Sequence, residues 1–192
     1  MINEKELSKL RKEICDYDSQ REKLIKKSRD VLKLSKQVIY AVHRDEISVA
    51  EGLIKEMEKE KKRLGEIAKH SRALLFEGSY KVAIQEYVEA RLYFGFMKEK
   101  RLLGKEELKV KTGHYLLGLC DLTGELVRKA VYLAGKGKVK GVVQIKNLVD
   151  GIYGEMLKFD FRDPEIRRKF DAVKYNLRKL EDLVLDLKLK GR

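Results

Sequence analysis

Apolar positions recur along this chain every three to four residues, the period of a helix buried on one side. Leu7, Leu10, Ile14, Tyr17, Leu24, Val31, Val38 and Val42 keep a near-heptad step, broken only by Arg21, Ser28 and Ser35. This predicts one long helix from about Asn3 to Arg44, either a packing arm between subunits or the first helix of a bundle. Asp45 is placed to cap a second helix reaching about Leu75, with Leu53, Met57, Leu64 and Ile67 on its buried side. Glu51–Lys55 and Glu58–Lys62 read there as four-residue ion pairs on a solvated face. Phe76-Glu77-Gly78-Ser79 interrupts the pattern, and Ser79 is expected to cap a third helix from about Tyr80 to Leu103. Its aromatics, Tyr80, Tyr87, Tyr93, Phe94 and Phe96, read as core rather than as a base-stacking platform.

Gly104 is expected to end that helix and Lys105–Lys111 to connect it to the next. The following helix, about Gly113 to Leu133, is the most apolar. Leu116, Leu119, Leu122, Leu126 and Leu133 cover much of its surface, while His114, Gly118, Asp121, Glu125, Arg128 and Tyr132 fall on one stripe. A polar stripe on such a helix should face a cavity or a site. Gly118 and Gly124 each cost about 1 kcal/mol relative to alanine in a helix interior, and close backbone approach is one reason to keep them. Gly135–Gly141 is a turn that lacks the Gly-Lys-Ser/Thr of a phosphate loop. A further helix from about Val142 to Leu157 follows. Asp163-Pro164 then opens the last one, carrying Ile166, Phe170, Val173, Leu177, Leu180, Val184 and Leu187. Six or seven helices in an antiparallel bundle result, forming one all-α domain over residues 1–192. The single proline, Pro164, argues against a sandwich or barrel built on proline-rich turns.

Charge narrows the partners. Lys and Arg number 44 against 31 Asp and Glu, a formal net charge of +13. Such an excess draws polyanions by counterion release, so nucleic acid leads, the plain alternative being a lysine-rich surface serving solubility or heat resistance. The basic residues are spread over every helix, which disfavours a membrane-surface role. Cys15 and Cys120 make neither a disulfide framework nor a zinc site. With no apolar signal region and no long uncharged span, a cytoplasmic protein without membrane contact is expected.

Two acidic stretches carry the candidate chemistry. Glu86 and Glu89 are three residues apart and Asp121 and Glu125 four, so each pair shares one helix face with Cβ atoms about 5–6 Å apart. If the two helices pack face to face, four carboxylates converge, and a divalent cation is the usual relief for such crowding. Ordinary ion pairs are the competing account: Glu86 with Lys81 or Arg91, Glu89 with Arg91, Glu125 with Arg128 or Lys129. A di-iron bundle would need Glu-x-x-His, and no histidine stands three residues after any of these acids. Hard oxygen ligands favour Mg²⁺, with Mn²⁺ the alternative, and on a basic protein they point to phosphodiester hydrolysis by a metal-activated water.

Gln85-Glu86-Tyr87-Val88-Glu89-Ala90, Tyr115-Leu116-Leu117-Gly118 followed by Asp121-Leu122-Thr123-Gly124-Glu125-Leu126, and the closing Leu187-Lys188-Leu189-Lys190-Gly191 resemble the translin/TRAX family. The likeness is strongest to its TRAX (translin-associated factor X) branch. The resemblance implies a seven-helix translin-like fold and a closed, hollow homo-octamer with the acids facing inward. It also implies that Glu86, Glu89, Asp121 and Glu125 hold Mg²⁺ and cut RNA, whereas the translin branch lacks this full set and binds single-stranded RNA or DNA without cutting it. Of the basic, histidine-containing run that the translin branch carries before its third helix, only Lys81 is matched. Lys81, with His114 and Arg128 from the polar stripe, makes the candidate nucleic-acid contacts. A translin-like partner subunit, as in eukaryotic TRAX assemblies, is an alternative to self-assembly.

Overall fold

A computed structural model of the chain describes residues 3–189 and Gly191. Met1, Ile2, Lys190 and Arg192 lie outside the described residues, and with them the start of the N-terminal stretch and part of the closing Leu187–Gly191 motif. Among the described residues there are seven α-helices and one 3₁₀ turn, with no strand. They run α1 Glu4–His43, α2 Ile47–Ala68, a 3₁₀ turn Arg72–Phe76, α3 Gly78–Glu99, α4 Lys105–Leu108, α5 Thr112–Gly135, α6 Val139–Met156 and α7 Pro164–Leu189. The all-α bundle expected from the apolar period is the fold observed.

Helix α3 is the centre. It is apolar nearly all round, as a helix packed on several sides must be, and it meets α1, α2 and α5, while α5 in turn packs on α6 and α7. Tyr87, Tyr93 and Phe94 are buried, and Tyr80 and Phe96 are packed against the core. The aromatic run is therefore core, as expected. Gly118 is where α5 meets α3. A Cβ added there would stand 2.6 Å from Val88 Cγ1 and 2.9 Å from the Gln85 carbonyl oxygen. At Gly124 an added Cβ would meet only Asn176 Nδ2, at 3.9 Å. The close-approach expectation holds for the first glycine and fails for the second.

Helix α1 divides. From Leu24 onward its stripe is buried, and Ser28 and Ser35 are buried within it, Ser35 Oγ donating to the Val31 carbonyl at 2.9 Å. Leu7, Leu10 and Ile14 are exposed. The later part is thus the bundle's first helix, and the first turns stand clear of it. Arg21 is not an idle interruption: with Tyr17 of the stripe it bonds Glu77 Oε1, at 3.0 and 2.8 Å respectively, tying α1 to the start of α3.

Several expected ends shift for local reasons. Asp45 does not cap α2: it sits at φ 62°, and Glu46 precedes the helix without a side-chain cap. Helix α2 stops at Ala68, because Ser71 caps the 3₁₀ turn instead, accepting from Ala73 N–H at 3.2 Å. Ser79 lies inside the first turn of α3 with its Oγ buried and unpartnered, and Glu77 takes the cap position. Left-handed Lys100 ends α3, and Gly104 opens α4, its N–H bonded to Glu107 Oε2 at 2.7 Å. The expected connector therefore contains a helical turn. Glu51 and Glu58 reach across to Lys98 and Arg91 of α3 rather than along α2 to Lys55 and Lys62. Asp163 does cap α7, accepting from Glu165 and Ile166 N–H at 2.8 and 3.2 Å.

Candidate functional site

Close approach at Gly118 sets the acidic turns of α3 and α5 side by side. Glu86 and Glu89 on α3 and Asp121 and Glu125 on α5 all line one cavity of about 600 Å³. Helix α1 adds Lys36, Ile39 and Tyr40, and α7 adds Lys169 and Asn176. Four acids thus share a wall with three cations, Lys36, Arg128 and Lys169.

The two sides of the cavity differ in how their charge is met. On α5, Asp121 receives the Lys169 ammonium at 2.6 Å on both carboxylate oxygens and a hydrogen bond from the Gln85 side chain. Glu125 pairs with His43 Nε2 and, more loosely, with Arg128 at 3.7 Å. The His43 hydrogen bond holds the Glu125 carboxyl below its ordinary range. His43 is itself placed from two sides. Tyr93 OH lies 3.0 Å from its Nδ1. Buried Lys129 caps the end of α1, bonding the His43 carbonyl at 3.2 Å and Asp45 Oδ1 at 2.6 Å.

On α3, Glu86 and Glu89 make no hydrogen bond or ion pair among the described residues. Glu89 is 7% exposed. Burial first, then the charges of Asp121, Glu86 and Glu125, push its carboxyl up to about 9. Burial also raises Glu86, with Lys36 opposing the rise and Asp121 adding to it. At neutral pH Glu89 therefore carries a proton, because a bare charge there has no partner and too little water.

The candidate ion pairs are corrected by this geometry. Arg91 pairs with Glu58 of α2 at 3.4 Å rather than with Glu86 or Glu89, and Lys129 with Asp45 rather than Glu125. Only Arg128–Glu125 stands. Of the candidate nucleic-acid contacts, Arg128 lines the acidic cavity. Lys81 is exposed and rests over the Phe76 ring at 5.7 Å. His114 lines a different cavity, so the α5 stripe serves two places. His43, Lys169, Gln85 and Lys36 were not singled out in the sequence. Gln85, Lys169 and His43 lie 36 to 82 residues from the α5 acids they bond, and Lys36 lines the cavity without bonding either.

The donor set suits a hard divalent cation, since it offers carboxyl oxygens on α3 that no protein group engages among the described residues. An ammonium already seated on both oxygens of Asp121 shows that this point attracts a cation. Among the described residues, however, no group of three His, Cys, Asp or Glu side chains is gathered tightly enough to hold one ion.

An all-α bundle whose third and fifth helices face each other across an acid-lined cavity is the class of protein that emerges. The sequence profile of the Translin family matches residues 19–191, and the chain belongs to that family. Translin-associated protein X of Rattus norvegicus is 26% identical, over 88% of this chain and 73% of its own length. The Translin-associated protein X homolog of Schizosaccharomyces pombe is 24% identical, over 94% of this chain and 86% of its own. Translin of Gallus gallus, at 27% identity, aligns with 40% of this chain. The broad match to the TRAX proteins sets the chain in the TRAX-like branch. The crystal structure of apo-NeC3PO superposes with a TM-score of 0.87 at 28% identity, covering 93% of this chain and 95% of its own. That of AfC3PO gives 0.88 at 22% identity over 96% and 98%, a likeness of fold. No described helix is long and apolar enough to cross a membrane.

Proposed function

We propose that this chain is a Mg²⁺-dependent endoribonuclease, a single TRAX-like domain acting within a closed homo-oligomer, with the octamer as the expected form. The observation that carries the reading is the convergence of Glu86, Glu89, Asp121 and Glu125 on one cavity, with the α3 acids unpaired. Mg²⁺ bound by these acids would activate a water and neutralise charge on the scissile phosphate. The protein's own part is to hold the acids together despite their repulsion. Glu89 keeps its proton until a cation replaces it, and His43 fixes Glu125 in one orientation. Lys36 and Arg128 at the cavity wall attract the RNA backbone, and the +13 charge supports RNA as the substrate class. AfC3PO has been solved with duplex RNA, at 23% identity and a TM-score of 0.75, a likeness that lends this chain a fold compatible with the reading.

The second reading is a non-catalytic RNA-binding assembly, with single-stranded DNA as the other ligand. Lys169 and His43 favour it, since each already satisfies one α5 acid. Incubating labelled single-stranded RNA with the protein, in Mg²⁺ and in EDTA, separates the two. Cleavage in Mg²⁺ alone is expected. Glu89→Gln should lower it by more than about 100-fold, the equivalent of losing several kcal/mol of charge stabilisation, with RNA affinity within a few-fold of the parent. Binding without cleavage in both conditions supports the second reading, and a Glu89→Gln variant that cuts at the parental rate removes Glu89 from the site.

A further inference from the structure

A second cavity, of about 290 Å³, shares no lining residue with the acidic one. Its walls come from α2, α3 and the α4–α5 connection, and its polar groups are basic: Lys61, Lys109, Lys111 and His114, with the Tyr80 ring beside them. Among the described residues none of the three lysines has a carboxylate within ion-pair distance. The one acid at the wall, Glu106, is paired with Lys105 at 2.8 Å.

The groups are set rather than merely crowded. Lys61 Nζ donates to the carbonyls of Leu108 and Lys109, at 3.1 Å each, which fixes the ammonium and leaves its third donor without a protein acceptor. His114 packs edge-on against Tyr80, centroids 6.0 Å apart, and its Nδ1 is buried with no hydrogen-bond partner. No hydrogen bond to Nδ1 therefore fixes which ring nitrogen carries the proton, and an anion in the cavity can select the tautomer that donates to it. Helix α5 begins here, and its first turn has no side-chain cap at Lys111, so backbone N–H groups and the positive end of the helix add to the field. Burial, and after it Lys111 and Lys81, hold the His114 imidazole below its ordinary range. Burial and Lys109 likewise lower Lys61. Glu58 opposes the shift at Lys61 and Glu165 that at His114, and neither offsets it.

We infer that this cavity is a phosphate-binding site, taking free phosphate or the terminal phosphate of a nucleotide on Lys61, Lys109, Lys111 and His114. Its volume, near the lower limit of small-ligand sites, fits a phosphate with at most a sugar attached, the aromatic face of Tyr80 lying beside it. The inference does not rest on the nuclease reading.

Titration of the full-length protein with inorganic phosphate, adenosine 5′-monophosphate and adenosine, followed by calorimetry and by the His114 imidazole signals in NMR, tests it. Phosphate and the monophosphate should bind and shift His114, and adenosine should do neither. Lys109 and Lys111 are exposed, so the Lys109→Gln/Lys111→Gln double variant should keep the parental melting temperature while losing at least tenfold in phosphate affinity. Glu89→Gln should bind phosphate as the parent does. Tighter binding of the monophosphate assigns a nucleotide; equal binding assigns the bare phosphate. Absence of phosphate binding, signals that move elsewhere than at His114, or a double variant that binds like the parent would each overturn the site.

Discussion

The two walls of the acidic cavity carry the same number of carboxylates and treat them in opposite ways. Asp121 and Glu125 on α5 are met by Lys169, Gln85, His43 and Arg128. Glu86 and Glu89 on α3 are met by no hydrogen-bonding or ion-pairing group among the described residues, and Glu89 carries the largest burden of burial and repulsion. The α5 wall is a finished electrostatic structure, and the α3 wall is an unfinished one. A fold that needed only internal ion pairs would have no use for the second. Buried and half-buried acids left without a protein partner support the proposed cation site.

The largest effect should come from forcing the walls apart. Gly118→Ala sets a methyl 2.6 Å from buried Val88 and 2.9 Å from a backbone oxygen of α3, and neither can yield without moving the helix. We expect a loss near the upper end of the roughly 1–3 kcal/mol of an overpacked core. On a chain this size that lowers Tm by about 2–4 °C per kcal/mol. Gly124→Ala, whose methyl would meet only Asn176 Nδ2 at 3.9 Å, should be neutral or stabilising by up to about 1 kcal/mol through helix propensity. Equal melting temperatures for the two variants would mean that Gly118 does not set the spacing.

Next comes the finished wall. Asp121→Asn leaves the half-buried Lys169 ammonium without its counter-charge. Crowding alone would have made this substitution harmless in the metal-free protein, since it removes one of four clustered charges. The observed pair reverses that expectation, because a stranded partner costs more than the repulsion relieved. A loss of about 1–2 kcal/mol in EDTA is expected by thermal melting. Restoring stability with Lys169→Met in the same background would show that the stranded ammonium is the cause. A single variant as stable as the parent would show the Lys169 contact to be worth nothing.

These contrasts also mark what the sequence made legible. Helical period, the Asp163-Pro164 start and the face-sharing of Glu86 with Glu89 and of Asp121 with Glu125 are local properties, and a local pattern displays them. The all-α bundle and the acid pairs' common cavity followed from them. Partner choice was not legible. Lys169 lies 48 residues from Asp121 and His43 lies 82 from Glu125, and no spacing rule links them. Neighbours in sequence misled for the same reason, since Arg91 and Lys129 turn to acids on other elements. Local cap rules failed where tertiary contacts outbid them: Asp45 was drawn to Lys129 and away from the N-terminus of α2. A histidine in the last turn of a long helix was the one available signal for His43, and it marks a helix end far more often than a site.

The most diagnostic test of the unfinished wall is the pH dependence of the metal-free protein. A carboxyl that titrates near 4.5 in the unfolded chain and near 9 in the folded one binds its proton more tightly when folded. Its contribution is therefore fully present below the unfolded value and is lost as pH rises toward the folded value, so stability should fall from about pH 5 to pH 9. Glu86, raised in the same direction, steepens the fall, whereas Glu125, held low by His43, contributes the opposite slope at acid pH. Glu89→Gln replaces the protonated acid with a neutral side chain of the same shape that cannot lose a proton. In EDTA the variant should match the parent near pH 5 and pull ahead of it as pH rises, by up to about 1.4 kcal/mol per pH unit between the two values. Mg²⁺ should narrow the gap, because an ion bound only to the folded parent stabilises it by mass action and the variant lacks that ligand. Parallel curves for parent and variant from pH 5 to 9 would mean that Glu89 is ionised and satisfied in the fold, and the difference between the walls would disappear.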